Sequence, residues 1–92
     1  MRYAWEFDGG AISEFASIDN LNDAKLAVEG ILSQWDIDDP VWAEHAEDDG
    51  TNEDGEQCWR LLCWPNEADS DSGSNAIGQL TWVGEEEGVS IV

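Results

Sequence analysis

The side chains with most chemistry to offer are carboxylates, and they are crowded. Asp36, Asp38 and Asp39 lead into Glu44, Glu47, Asp48, Asp49, Glu53, Asp54 and Glu56, a stretch without lysine or arginine; further clusters follow at Glu67, Asp69 and Asp71 and at Glu85, Glu86 and Glu87. The 92 residues hold 22 Asp and Glu against 3 Lys and Arg, a formal charge of -19. A small soluble domain usually carries a magnitude of about 2 to 8, and the excess opposes compaction by self-repulsion. A surplus of this size implies an external salt environment or a cationic partner.

One use of such an array is to stand in for backbone phosphates. B-DNA displays one charge per roughly 3.4 Å of axis on each strand, whereas alternate residues of a β-strand project side chains about 6.6 Å apart. A single strand is therefore too sparse. Two neighbouring strands or loops about 4.8 Å apart, both bearing carboxylates, approach the required density. A groove that releases counterions from phosphates gains similar free energy from fixed carboxylates. Asp36, Asp38, Asp39, Glu44, Glu47, Asp48, Asp49, Glu53, Asp54 and Glu56 are the candidate partner-binding residues in this reading. An exposed indole, Trp42 beside Glu44 or Trp82 beside Glu85, would add apolar anchorage. The same charge argues against direct binding of nucleic acid, and against anionic lipid within a Debye length of roughly 8 Å.

Three other chemistries compete. Dense carboxylates also hold water and cations, as in halophilic adaptation, with no specific partner. Calcium needs ligands at EF-hand spacing; from His45, residues Glu47, Asp49, Gly50 and Glu56 fall correctly but a histidine, a poor ligand for the ion, stands first, which leaves a weak divalent-metal site as the alternative. Catalysis gains no support from paired acids, because among so many carboxylates some pair always lies at a catalytic distance. Cys58 and Cys63 fall on opposite faces of any strand containing both, so no shared thiol site is expected. The reading is of a non-enzyme with no cofactor.

The elements that must position these groups follow from hydrophobic periodicity. Tyr3, Trp5 and Phe7 alternate with Arg2, Ala4 and Glu6, predicting a first strand closed by Asp8-Gly9-Gly10, with residues 11–17 returning as a hairpin. Asp19 or Asn20 can cap a helix whose apolar stripe is Leu21, Ala24, Val28, Ile31, Leu32 and Trp35, and residues 36–40 end it because the position before Pro40 resists helical geometry. A strand is predicted over 41–47, a charged loop over 48–56, and a central strand over 57–64, apolar on both faces except at Arg60. Arg60 should be paired with an acid or project from the open face of the sheet. A polar loop over 65–74, a strand over 76–83, a turn over 84–88 and a last pairing segment over 89–92 complete the reading. The order ββαβββ predicts an α+β fold, one helix packed on a mainly antiparallel sheet of four to five strands.

Length and composition set the bounds. The chain fits one domain, 1–92, burying about 60 to 68% of its unfolded surface. Hydrophobic residues make up 41% and Trp occurs 6 times, enough to offset ordering entropy. With 2 cysteines and no apolar leader after Met1, a cytoplasmic protein with reduced thiols is expected. No segment is long and apolar enough to span a bilayer as a helix.

In size and character the chain resembles small acidic proteins of phages and mobile elements that imitate DNA: anti-CRISPR proteins, anti-restriction proteins and uracil-DNA glycosylase inhibitors. The resemblance is carried by the runs Asp36-Ile37-Asp38-Asp39, Glu47-Asp48-Asp49-Gly50, Asn52-Glu53-Asp54-Gly55-Glu56 and Glu85-Glu86-Glu87. It is compositional and carries over no site residue. It implies an inhibitor that occupies the nucleic-acid-binding surface of a CRISPR effector or restriction-type enzyme, in the cytoplasm of a bacterial host.

Overall fold

The alternation at the start of the chain becomes strand β1 (Tyr3–Phe7), with Tyr3 and Trp5 buried, in a computed structural model that describes residues 2–7, 10–15, 18–73 and 75–84. Strand β2 (Gly10–Phe15) pairs antiparallel with it, Tyr3 opposite Phe15, with a register shift between Trp5 and Glu6. Asp8 and Gly9 of the expected turn, residues 16 and 17 of the expected hairpin arm, most of the 84–88 turn, the 89–92 segment and the Glu85–Glu87 run lie outside the described residues.

Helix α1 (Leu21–Ser33) starts at Asn20, whose side-chain oxygen accepts the Asp23 N–H at 2.8 Å while its amide donates to the Asp23 carboxylate at 3.0 Å. This cap satisfies one of the helix-end donors, and Asp23 complements the positive end of the helix dipole. Leu21, Ala24, Val28 and Leu32 form the buried stripe. The helix ends earlier than Pro40 requires: Asp36 adopts a left-handed conformation (φ 63), Ile37 N–H bonds Leu32 O at 3.0 Å and Asp36 N–H bonds Ser33 O at 3.2 Å. That closure turns the chain before Trp35 can join the stripe, and Trp35 is left 42% exposed.

Strands β3 (Val41–Trp42), β4 (Glu47–Thr51), β5 (Gln57–Trp64) and β6 (Gly78–Val83) complete an antiparallel sheet of order β2-β1-β6-β5-β3, with β4 also on β5. Strand β6 lines one edge of β5 over 58–63, so β3 and β4 share the other edge in tandem. The expected strand over 41–47 is therefore interrupted at 43–46, and half of the expected loop over 48–56 is strand. The side chains of β4 are exposed on both faces, so pairing with β5 rather than apolar burial holds it there. A short helix, α2 (Glu67–Ser72), occupies the expected loop over 65–74, capped by Asn66 and closed by left-handed Gly73. The fold is α+β, with one main helix on an open antiparallel sheet. The described residues run ββαβββαβ rather than ββαβββ, with six strands rather than four to five.

The core lies between α1 and one sheet face. Register places three rungs there: Tyr3, Trp82 and Trp59; Trp5, Leu80 and Leu61; and Phe7, Gly78 and Cys63. The helical stripe packs on these in one hydrophobic cluster. The other face, away from α1, carries Ala4, Glu6, Cys58, Arg60, Leu62, Gln79, Thr81 and Val83, all partly exposed.

Candidate functional site

The acids of 36–56 lie along the sheet edge built by β3 and β4. Asp36, Asp38 and Asp39 sit where the chain leaves α1 and turns into β3, Glu44 lies between β3 and β4, Glu47, Asp48 and Asp49 lie on β4, and Glu53, Asp54 and Glu56 lie on the hairpin tip that leads into β5. All of them are exposed.

Local hydrogen bonding fixes the tip. Asn52 Oδ1 accepts from Asp54 N–H at 2.9 Å and Glu56 N–H at 3.0 Å, and Gly55, at φ 80, returns its N–H to Asn52 O at 3.0 Å. Asparagine at a turn mimics backbone in this way, and glycine takes the left-handed position without steric cost. The result holds Glu53, Asp54 and Glu56 outward on a closed loop.

The three acids of β4 differ in role. Glu47, opposite Arg60 in register, pairs with the guanidinium at 3.1 Å, and Asp49 lies 3.8 Å from Arg60 Nε. Arg60 is thus paired with acids and on the open face. These two carboxylates are partly neutralised within the chain. Asp48 instead faces its own strand bulge, accepting Gly50 N–H at 2.7 Å and the Gln57 side-chain amide. The Gly50 N–H first, and then Gln57, hold its carboxyl below the ordinary value of 3.8. A depressed folded value contributes stability that is present above the unfolded value and is lost as pH falls through the folded one. The Gly50 amide shift, followed by NMR, should titrate with a midpoint below 3.8 and lose that transition in Asp48→Asn; a midpoint at or above 3.8 contradicts the assignment.

The double row of acids expected for phosphate-like density is not built. The neighbour of β4 is β5, which presents Arg60, Trp59 and Gln57 to it, so the carboxylates run in single file and are supplemented by the tip and the 36–39 loop. The aromatic expectations also change. Trp82 is 4% exposed, because its register with Tyr3 and Trp59 places it in the core. Trp42 is half-buried: its indole N–H donates to Glu29 at 3.1 Å, its ring meets Trp5 edge-on at 6.1 Å, and Lys25 Nζ lies 5.7 Å above it. The exposed indole beside acids is Trp35, directly before Asp36 and 4.7 Å from the Phe7 ring. Sequence reasoning assigned Trp35 to the stripe; the acid at position 36, a residue type that tolerates left-handed backbone, was the signal for an earlier helix end.

The other candidate chemistries gain no site. The stretch from His45 to Thr51 is a bridge residue followed by strand, which does not form an EF-hand loop. Among the described residues no group of three His, Cys, Asp or Glu is arranged to hold a metal ion. Cys58 lies on the open face and Cys63 in the core, where burial pushes its thiol up to about 12, Glu29 adding to the shift and Lys25 opposing it. Among the described residues no helix is long and apolar enough to cross a membrane. In comparisons with protein families, characterised proteins and solved structures, nothing matches the chain.

Proposed function

We propose that the protein is a non-enzymatic, nucleic-acid-mimicking inhibitor of anti-CRISPR type. It occupies the cationic DNA- or RNA-binding surface of a CRISPR effector or restriction-type enzyme in a bacterial cytoplasm, without itself binding nucleic acid or membrane. The observation that supports this reading is the exposed acidic edge from Asp36 to Glu56, of which, among the described residues, only Glu47 and Asp49 pair with a cation. Trp35 supplies an exposed apolar anchor at one end of it.

The test uses carboxylates that pair with no other side chain among the described residues. Reversing Asp38, Glu44, Glu53 and Asp54 to Lys together should leave the unfolding transition in place and weaken retention of basic nucleic-acid-handling proteins from a bacterial lysate. The slope of log affinity against log salt should flatten by about one for each carboxylate engaged. DNA or RNA should displace the same proteins from the unaltered chain. Unchanged retention by the reversed variant, or retention insensitive to nucleic acid, overturns the proposal.

A second reading, general acidity of the halophilic kind, is favoured by exposed acids away from that edge, at Asp19, Asp23, Glu67 and Asp71. Tryptophan fluorescence separates the two. A chain folded only in molar salt supports halophilic adaptation, and one folded near 0.1 M salt supports the inhibitor.

A further inference from the structure

On the open sheet face, where the chain enters β6, lies a groove of about 500 Å³ whose lining includes Glu6, Leu62, Asn75, Ile77 and Gln79. That volume is in the range of pockets that hold a small molecule or one large side chain. Leu62 and Ile77 give it apolar surface, and Glu6 is the only charged group among its described lining residues. The Gln79 side-chain amide donates to one Glu6 carboxylate oxygen, which fixes the group without neutralising it. Among the described residues the lysine and arginines are engaged elsewhere: Arg2 pairs with Glu14, Arg60 with Glu47 and Asp49, and Lys25 stands over Trp42. A half-buried carboxylate beside apolar surface lacks the counter-charge that would offset its partial desolvation.

We infer that this groove receives an arginine side chain of the partner. The inference rests on the partner proposed above being basic, and it adds a second contact on the open face, where Leu62 of β5 borders the strands of the acidic edge. An arginine stem covers apolar surface while its head stays polar, which suits Leu62 and Ile77. The planar fork of donors pairs with the Glu6 carboxylate and with the amide oxygens of Gln79 and Asn75, an acceptor set that a lysine ammonium matches less well.

The probe is N-acetyl-L-arginine methylamide, titrated into the isotopically labelled full chain and followed by amide chemical shifts, with the lysine analogue as control. The expected result is saturable shifts centred on Glu6, Leu62 and 75–79, at least threefold weaker affinity for the lysine analogue, and a tenfold or greater loss in Glu6→Gln. Should Glu6→Gln disturb the fold, exposed Asn75→Trp provides a second obstruction of the groove and should abolish the same shifts. Shifts that do not saturate, that centre on 36–56, that are equal for both analogues, or that survive both variants overturn the inference. Charge reversal of Glu53 and Asp54 alone, on the hairpin tip at the Gln57 end of β5, leaves the shifts centred on Glu6, Leu62 and 75–79, so failure of the groove and failure of the mimicry reading are separately visible.

Discussion

Trp5→Ala should leave the chain without a cooperative unfolding transition at neutral pH. Trp5 is fully buried, stands in the middle rung with Leu80 and Leu61, and meets Trp42 edge-on. Truncating a buried Trp to Ala costs about 3 to 5 kcal/mol, the transfer free energy of the ring plus the cavity left behind. Domains are stable by only about 5 to 15 kcal/mol, and a short, strongly self-repelling chain belongs at the lower end of that range. The loss should appear as collapse of the near-ultraviolet dichroism of the packed indoles together with a vanished or greatly lowered urea midpoint. Trp5→Phe should cost much less, because the indole N–H it removes is buried without a hydrogen-bond partner. A Trp5→Ala midpoint within error of the parent would show that the core does not depend on this ring.

Gly78→Ala should be the most damaging single methyl addition. Gly78 opposes Phe7 and Cys63, and the Trp5 indole lies across it. A Cβ built there would sit 2.6 Å and 2.7 Å from two ring carbons of Trp5 and against the Glu6 backbone oxygen. Overpacking of this kind costs about 1 to 3 kcal/mol, and a backbone neighbour cannot move aside as a flexible side chain does. Trp5→Leu should relieve the ring part of the clash and leave the Glu6 part, so the two changes should be non-additive by about 0.5 to 3 kcal/mol in a double-mutant cycle of urea midpoints. Additive costs would mean that Gly78 is constrained by the backbone alone.

These two residues also show what was legible in the sequence. The 2-residue and 3.6-residue periods placed β1, β5 and the stripe Leu21, Ala24, Val28 and Leu32 because apolar burial decides those positions. The charge of β4 hid it, since an edge strand needs only hydrogen bonds to β5 and carries no apolar alternation to read. Helix α2 was missed although Asn66 and Asp69 repeat the Asn20 and Asp23 cap, with Gly73 as a stop; it buries no residue, so no stripe announced it. The core position of Trp82 agrees with the general expectation that indoles are buried, and its partners, Tyr3 and Trp59, are too remote in sequence to have shown it. For the acidic edge, exposure followed from composition, but the division of labour did not. Which acids meet Arg60 and which the Gly50 amide depends on the register of β4 against β5, which a strongly charged strand does not reveal.

The same edge has a consequence for how the chain behaves in concentrated acid solution. Strand β4 ends the sheet, and like-charged side chains are what keep a neighbouring molecule from adding its own strand there. As pH falls through the carboxylate range, that repulsion fades while the edge N–H and C=O groups of β4 remain. Self-templated fibrils that bind thioflavin should then form by stacking through this margin, and Thr51→Lys, which places a charge on β4 that persists at that pH, should resist them.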